Sequence, residues 1–353
     1  MTSTMRALVL DRVNTPLRLD EVPRPEPGPG EVLVRVDACG VGLTVVNICT
    51  GKLRGPSGEV RRRIPGHEIA GVVAELGRGA TRFKPGDRVL TYFYLTCDAC
   101  RWCRRGRNSL CDKFGGYVGR DVDGGYAEYV KLPESCLFAL PDEIEAVPAT
   151  AIADAIGTPV HVFGARAGVT PGEWVMVIGA AGGVGIHMLQ VARLYGAQVI
   201  AVDIDDAKLE RTRPYGADEV VNLEGLGAAQ AAEHVRAVTR GEGADVVIDL
   251  VGTPDTLRWG FGLLNKGGRL INLTTFPDVE LGLWPGGLVV KELAVLGSRY
   301  HSKAEYLQAI ELVRAGKVQP VVSETVPLAG VQGVHERLLA ARFFGRGAVV
   351  PAG

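Results

Sequence analysis

Trp174-Val-Met-Val-Ile178 runs directly into Gly179-Ala-Ala-Gly182-Gly183-Val184-Gly185, and a helical pattern over 184–195 follows. Five apolar residues closed by a glycine turn read as a buried strand, and the apolar recurrence after them has amphipathic-helix spacing. Glycines at such a junction permit a tight turn. They also let backbone approach a pyrophosphate, which then sits on the free N–H groups of the helix start. The next strand-like run, 198–202, leads into Asp203. A carboxylate there accepts from a ribose 2′-hydroxyl and repels a 2′-phosphate, a part that the neighbouring Asp205 or Asp206 could also play. Gly179, Gly182, Gly183, Val184, Gly185 and Asp203 are the candidate cofactor-binding residues. NAD(H) rather than NADP(H) is the expected dinucleotide.

Working outward, further strand-like runs lie at 219–221, 246–250, 269–273 and 293–296, with helical patterns at 206–215, 228–239 and 254–264 between them. Six strands with helical crossovers describe a doubly wound parallel sheet, a Rossmann domain over 156–297. Upstream the rhythm differs. Short β-like runs at 6–10, 17–22, 32–38, 69–76, 88–91 and 126–130 are broken by Gly and Pro, and Pro23, Pro25, Pro27 and Pro29 exclude a central strand between them. That pattern predicts a small β-barrel domain over 1–155. A helix over 302–315 and strand-like segments end the chain, and 298–353 is expected to return to the first domain. The whole is an α/β protein of two domains, as 353 residues already suggest.

The 39 basic and 40 acidic residues nearly cancel, which gives no electrostatic reason to expect nucleic acid or a membrane surface as partner. No secretory leader is read at the N-terminus and no apolar run is read as long enough to span a bilayer, so a cytoplasmic address is expected. The one charge run, Arg61-Arg62-Arg63, reads as a solvated loop.

Cys97, Cys100 and Cys103 are spaced two residues apart, and Cys111 follows after seven more. Four thiolates so close in sequence can close a tetrahedral shell around zinc with no position left for substrate, which is the mark of a structural site. Disulfides and an iron–sulfur cluster fit the context and the spacing less well. Cys39, Cys49 and Cys136 read as small buried apolar residues. His187 reads as a packed residue within its helix.

These residues together resemble the medium-chain dehydrogenase/reductase superfamily, zinc-containing alcohol dehydrogenase type, over almost the whole chain. Gly66-His67-Glu68 followed by Gly71, Gly77 and Ala80 is similar to the family's zinc-site signature. Gly86-Asp87-Arg88-Val89, the cysteine lobe at 97–111 and the glycine-rich loop come in the family's order. The resemblance implies a GroES-like catalytic domain, a Rossmann domain, and an active site in the cleft between them. It also implies a catalytic zinc held by a cysteine, a histidine and a later cysteine or carboxylate. Here the sequence departs from the pattern. Gly42 stands where the cysteine is implied, two residues before the hydroxyl of Thr44. Val45 replaces an aspartate, and Asn47 replaces the histidine that ends a proton relay. Thr44, His67 and Asn47 are the candidate catalytic residues. His67, Glu68 and Asp154 are the candidate ligands of a catalytic zinc, or else a hydrogen-bonded network without metal.

The activity expected is hydride transfer between nicotinamide and a small-molecule alcohol or carbonyl. The alternative is NADH-dependent reduction of an activated C=C bond, of enoyl or quinone type, without catalytic zinc; a more remote one is a non-catalytic NAD(H)-binding protein. A homo-oligomer, dimer or tetramer, follows from the resemblance. Leu43, Val45, Tyr92, Phe93, Tyr94 and Trp284 are candidates for an apolar pocket wall, with ordinary core as the equal alternative for each.

Overall fold

The longest strand organises the first part of the molecule. The structure, a computed structural model, describes residues 3–53, 62–276 and 278–352. Along the chain come β1 (Thr4–Val9), β2 (Arg18–Pro23), β3 (Glu31–Val41), β4 (Ile69–Leu76), β5 (Arg88–Thr91), β6 (Tyr129–Pro133) and β7 (Leu137–Ala139). Then follow β8 (Trp174–Ile178), β9 (Gln198–Asp203), β10 (Glu219–Asn222), β11 (Ala244–Asp249), β12 (Leu264–Asn272) and β13 (Ala294–Gly297), and last β14 (Val322–Val326) and β15 (Arg346–Val349). The chain divides into two compact units: Met1–Asp154 with His301–Gly316 and Pro320–Gly353, and Ala155–Tyr300 with Lys317–Gln319.

In the first unit the sheet order is β14-β15-β3-β4-β5-β7, with β6 also paired to β3. Eight of the eleven β3 residues are buried, so this strand reads as a near-continuous apolar run. β15 joins β3 antiparallel with Gly347 opposite Val41 and Ala348 opposite Gly40. One step beyond that pair stand Arg346 and Gly42, and this register decides the site described below.

In the second unit the order is β10-β9-β8-β11-β12-β13, and every pairing is parallel. The order reverses between β8 and β11, so the carboxyl ends of those strands form the crevice where open α/β sheets bind ligands. Met176, Ile200, Val202, Val247 and Leu270 fill one apolar layer beneath the helices.

One helix was not read from the sequence, and one expectation needs correction. Leu43–Cys49 is an α-helix with Val45, Val46, Ile48 and Cys49 buried, although β-branched residues dominate it. Burial of one face outweighs weak local preference. One apolar stretch, Ala146–Ala167, does reach spanning length, with a mean hydropathy of 1.2, but 83% of that window is buried within the protein. It is broken into short α, 3-10 and π turns, and Asp154 lies inside it, so here it serves as a core element. Of the charge run, Arg61 lies outside the described residues, while Arg62 is largely exposed and pairs with Asp11 and Asp20.

Helix Val331–Leu339 buries His335, whose ring Nε2 lies 3.4 Å from the Tyr126 hydroxyl. Burial pushes this imidazole from 6.5 down to about 4, so the folded protein keeps it neutral while the unfolded chain takes up a proton below 6.5. Stability present at pH 7 is therefore lost as pH falls towards 4. The expected loss between pH 7 and pH 5 is about 2 kcal/mol from this residue. Denaturant unfolding of wild type and His335→Gln at both values checks it: the variant should show the smaller difference.

Candidate active site

The candidate residues fall into three local groups, each within one unit. The first is the loop after β8. Gly179 has φ of 82°, a conformation that favours glycine, and a Cβ on Gly185 would overlap the Gly179 carbonyl, so the helix Gly185–Leu194 can start only where that side chain is absent. Asp203, at the end of β9, is 8% exposed. Its Oδ2 accepts from the Ala181 N–H (3.0 Å), and its Oδ1 accepts from the Ile204 N–H (2.9 Å) and the Lys208 ammonium (3.1 Å). The carboxylate thus ties the glycine loop to the next strand and holds a lysine beside it. Val184 caps the helix, and the His187 ring nitrogen lies 2.7 Å from the Gly183 carbonyl.

The second group is the cysteine lobe. Sγ–Sγ distances are 3.5 Å for Cys100–Cys103, 3.5 Å for Cys97–Cys111 and 4.0 Å for Cys100–Cys111. A zinc tetrathiolate with Zn–S bonds of about 2.3 Å has edges of about 3.8 Å. The Cys97 N–H faces the Cys111 sulfur, and the Cys100 N–H faces the Cys97 sulfur, as suits thiolates. Hydrogen bonding from the Cys103 backbone leads in lowering the Cys100 thiol to about 6. Lys303 pins the lobe through Asp98 (2.6 Å) and the Ser135 carbonyl (2.9 Å).

The third group lies between β3, the start of β4, the 146–167 segment and β15. His67, Glu68 and Asp154 are all nearly fully buried, and one donor atom of each lies within 4.8 Å of the others. His67 Nε2 is 3.4 Å from Asp154 Oδ2, and the Thr44 hydroxyl donates to that same oxygen at 3.5 Å. The His67 ring rests on Phe93, with centroids 4.7 Å apart. Arg346 enters from β15 and forks onto Glu68 through Nε (3.0 Å) and Nη2, which also reaches Asp154 Oδ2 (3.4 Å). Two glycines make the room: a Cβ on Gly40 would overlap the Glu68 carboxylate, and a Cβ on Gly42 would overlap the Arg346 guanidinium. Burial raises the Glu68 carboxyl above its ordinary range, against the opposing pull of Arg346. Asn47 is set apart. Its backbone carbonyl accepts from the Leu53 N–H and the Thr50 hydroxyl, and no hydrogen bond among the described residues joins its side chain to Asp154 or His67.

Comparison with known proteins agrees with this geometry. Residues 28–142 match the alcohol dehydrogenase GroES-like domain, and 183–315 match the zinc-binding dehydrogenase domain. An alcohol dehydrogenase of Geobacillus stearothermophilus is 33% identical over 97% of this chain and 98% of its own length. An acryloyl-coenzyme A reductase of Metallosphaera sedula is 32% identical over 95% of this chain and 96% of its own. The crystal structure of an NAD-dependent alcohol dehydrogenase superposes with a TM-score of 0.89 at 32% identity, covering 98% of this chain and all of that one.

The chain belongs to the medium-chain dehydrogenase/reductase superfamily, zinc-containing alcohol dehydrogenase type. It is an NAD(H)-dependent oxidoreductase of that superfamily, acting on a small-molecule substrate, with the GroES-like and Rossmann folds expected from the sequence. The lobe thiols fit the family's structural zinc. The catalytic zinc that the family implies has a different standing. Gly42 offers no ligand, Glu68 is already engaged, and a guanidinium lies among the donors, so the residues present do not fit that ion.

Two residues of these groups escape a reading of the sequence. Lys208 has no motif to mark it. Arg346 is a lone base within the buried run Phe343–Val349, which is the one signal that could have singled it out. Of the proposed pocket wall, Tyr92, Phe93, Tyr94 and Val45 are buried core, whereas Leu43 is 46% and Trp284 73% exposed. Replacing Asp203 by Ala should lower the ratio of kcat/KM for NADH over NADPH about tenfold or more, because the repulsive charge goes and Lys208 becomes free for a 2′-phosphate. An unchanged ratio would remove Asp203 from cofactor selection.

Proposed function

We propose that this protein transfers hydride between NAD(H) and an alcohol/carbonyl pair, with Thr44, His67 and Asp154 as its proton-handling residues. The observation that carries this reading is the meeting of the Thr44 hydroxyl and His67 Nε2 on one buried oxygen, Asp154 Oδ2. A bound NAD+ would supply the hydride acceptor for oxidation; the substrate's hydroxyl proton passes to Thr44, whose own proton moves to Asp154. Reduction runs the same path backward, with Thr44 donating to the carbonyl oxygen. Gly179, Gly182, Gly183, Val184, Gly185 and Asp203 hold the dinucleotide. Seven cysteines, none in a disulfide among the described residues, suit a reducing compartment, so we place the enzyme in the cytoplasm, and membership of the superfamily favours a homo-oligomer.

A second reading has its own support. Gly42 removes a ligand of the Lewis acid that polarises a plain carbonyl, and a relative of similar identity is named acryloyl-coenzyme A reductase. Reduction of a conjugated C=C bond develops charge on an oxygen that a neutral donor such as Thr44 can meet. NADH consumption against matched panels of aldehydes, ketones and enoyl thioesters separates the two. Turnover of carbonyls supports the first reading. Turnover confined to enoyl thioesters transfers the site to the second.

A further inference from the structure

We propose that the Arg346 guanidinium is the resident cation of this active site, standing in the space and the charge environment of the family's catalytic metal and keeping that metal out. Four observations on different residues meet here. The β15–β3 register brings Arg346 level with Gly42. A Cβ at position 42 would overlap both Cζ and Nη1 of the guanidinium, so in this arrangement the arginine fills the space where a ligand side chain at 42 would begin. Nε and Nη2 take up the Glu68 carboxylate, and Nη2 also reaches Asp154. These three side chains and His67 are buried to 4% exposure or less.

The charges favour the same conclusion. An arginine cannot shed its proton in a protein, so its charge is permanent. Glu68 and Asp154 bring two negative charges, and the guanidinium balances one of them in place. A zinc ion among His67, Glu68 and Asp154 would put three positive charges against two negative ones in a dry site, with the ion directly against the guanidinium. It would also have to displace an arginine–carboxylate fork, the strongest type of hydrogen-bonded pair available there. His67 and Asp154 at 3.4 Å could share either a proton or a metal. Arg346 decides in favour of the proton. Its part is a positioning one: it fixes Asp154 Oδ2 where Thr44 and His67 both reach it.

The consequence concerns metal content and needs no substrate, so it stands or falls apart from the choice between carbonyl and C=C chemistry. Wild-type protein dialysed against excess zinc and then buffer should hold one zinc per chain by elemental analysis, that of the cysteine lobe. Gly42→Cys/Arg346→Ala, which restores a thiol and removes the cation, should hold two. Two zincs in the wild type overturn the proposal. So does a double variant that keeps its lobe zinc and its NADH affinity yet takes up no second ion. Cobalt exchange of the wild type gives an answer even if the double variant does not fold. A single cobalt with only thiolate-to-metal bands supports the proposal, and a second equivalent with the weak bands of nitrogen and oxygen ligation overturns it.

Discussion

Cys100→Ser should lose the lobe zinc and lower the melting temperature by about 10 °C, with kcat changed far less. The lobe between Cys97 and Cys111 has little else to hold it. Its regular structure is one helical turn at Arg101–Arg104 and a 3-10 turn at Asn108–Leu110, and Asp98 adopts a left-handed conformation with φ of 52°. Cys97 and Cys100 are only partly buried, so hydrophobic burial cannot replace the metal. Binding energy of a structural zinc is folding energy for such a segment. A net loss of about 4 kcal/mol shifts the transition of a unit this size by about 10 °C. The lobe meets the rest of its unit through Lys303, while Thr44, His67 and Asp154 rest on β3, β4 and the 146–167 segment, so the chemistry should survive at low temperature. Elemental analysis alongside thermal unfolding checks both parts. Unchanged zinc content would remove the four cysteines as one site, whatever happens to stability.

What was legible in the sequence was what is local. The glycine loop and Asp203 are encoded within one strand-turn-helix-strand unit, and the four thiols within one short segment, so spacing alone carries the geometry. The alternation of strands and helices gave the parallel sheet, because each crossover is built from neighbouring residues. The hidden part is long-range. Arg346 meets Glu68 across 278 positions of chain, through a strand register that no local pattern states. Gly42 looked like a lost ligand; only with β15 alongside does it become room for a guanidinium. Helix Leu43–Cys49 was hidden for a different reason. Thr44, Val45, Val46 and Ile48 are β-branched, and tertiary burial of their face overrides that preference. The 146–167 segment holds Pro148, Gly157, Pro159 and Gly164, yet the structure keeps it helical in short consecutive pieces, because its burial outweighs those local interruptions.

Replacing Thr44 by Val is the complementary test of the chemistry, and it should reduce kcat by about 10²–10³-fold. The exchange keeps the branched shape and removes only the hydroxyl, so the helix start and the packing of Val45 and Val46 should persist. Thr44 is half-buried, and its hydroxyl bonds to Asp154 in the absence of substrate, so the cost to stability is that of one hydrogen bond, about 1 kcal/mol. In the reaction the cost is larger, because the oxygen that gains or loses charge would then face a methyl group instead of a donor, and Asp154 would be cut off from it. Thr44→Ser retains the hydroxyl and should recover most of the rate. Asp203 and Lys208 belong to the Rossmann unit and do not touch this hydroxyl, so NADH affinity should be unchanged in both variants. The pattern therefore separates chemistry from folding: kcat falls in the valine protein and returns in the serine protein, while zinc content and cofactor binding stay constant. If the valine protein turned over like wild type, Asp154 and His67 would have to exchange protons with the substrate directly, and Thr44 would be a structural residue of its helix.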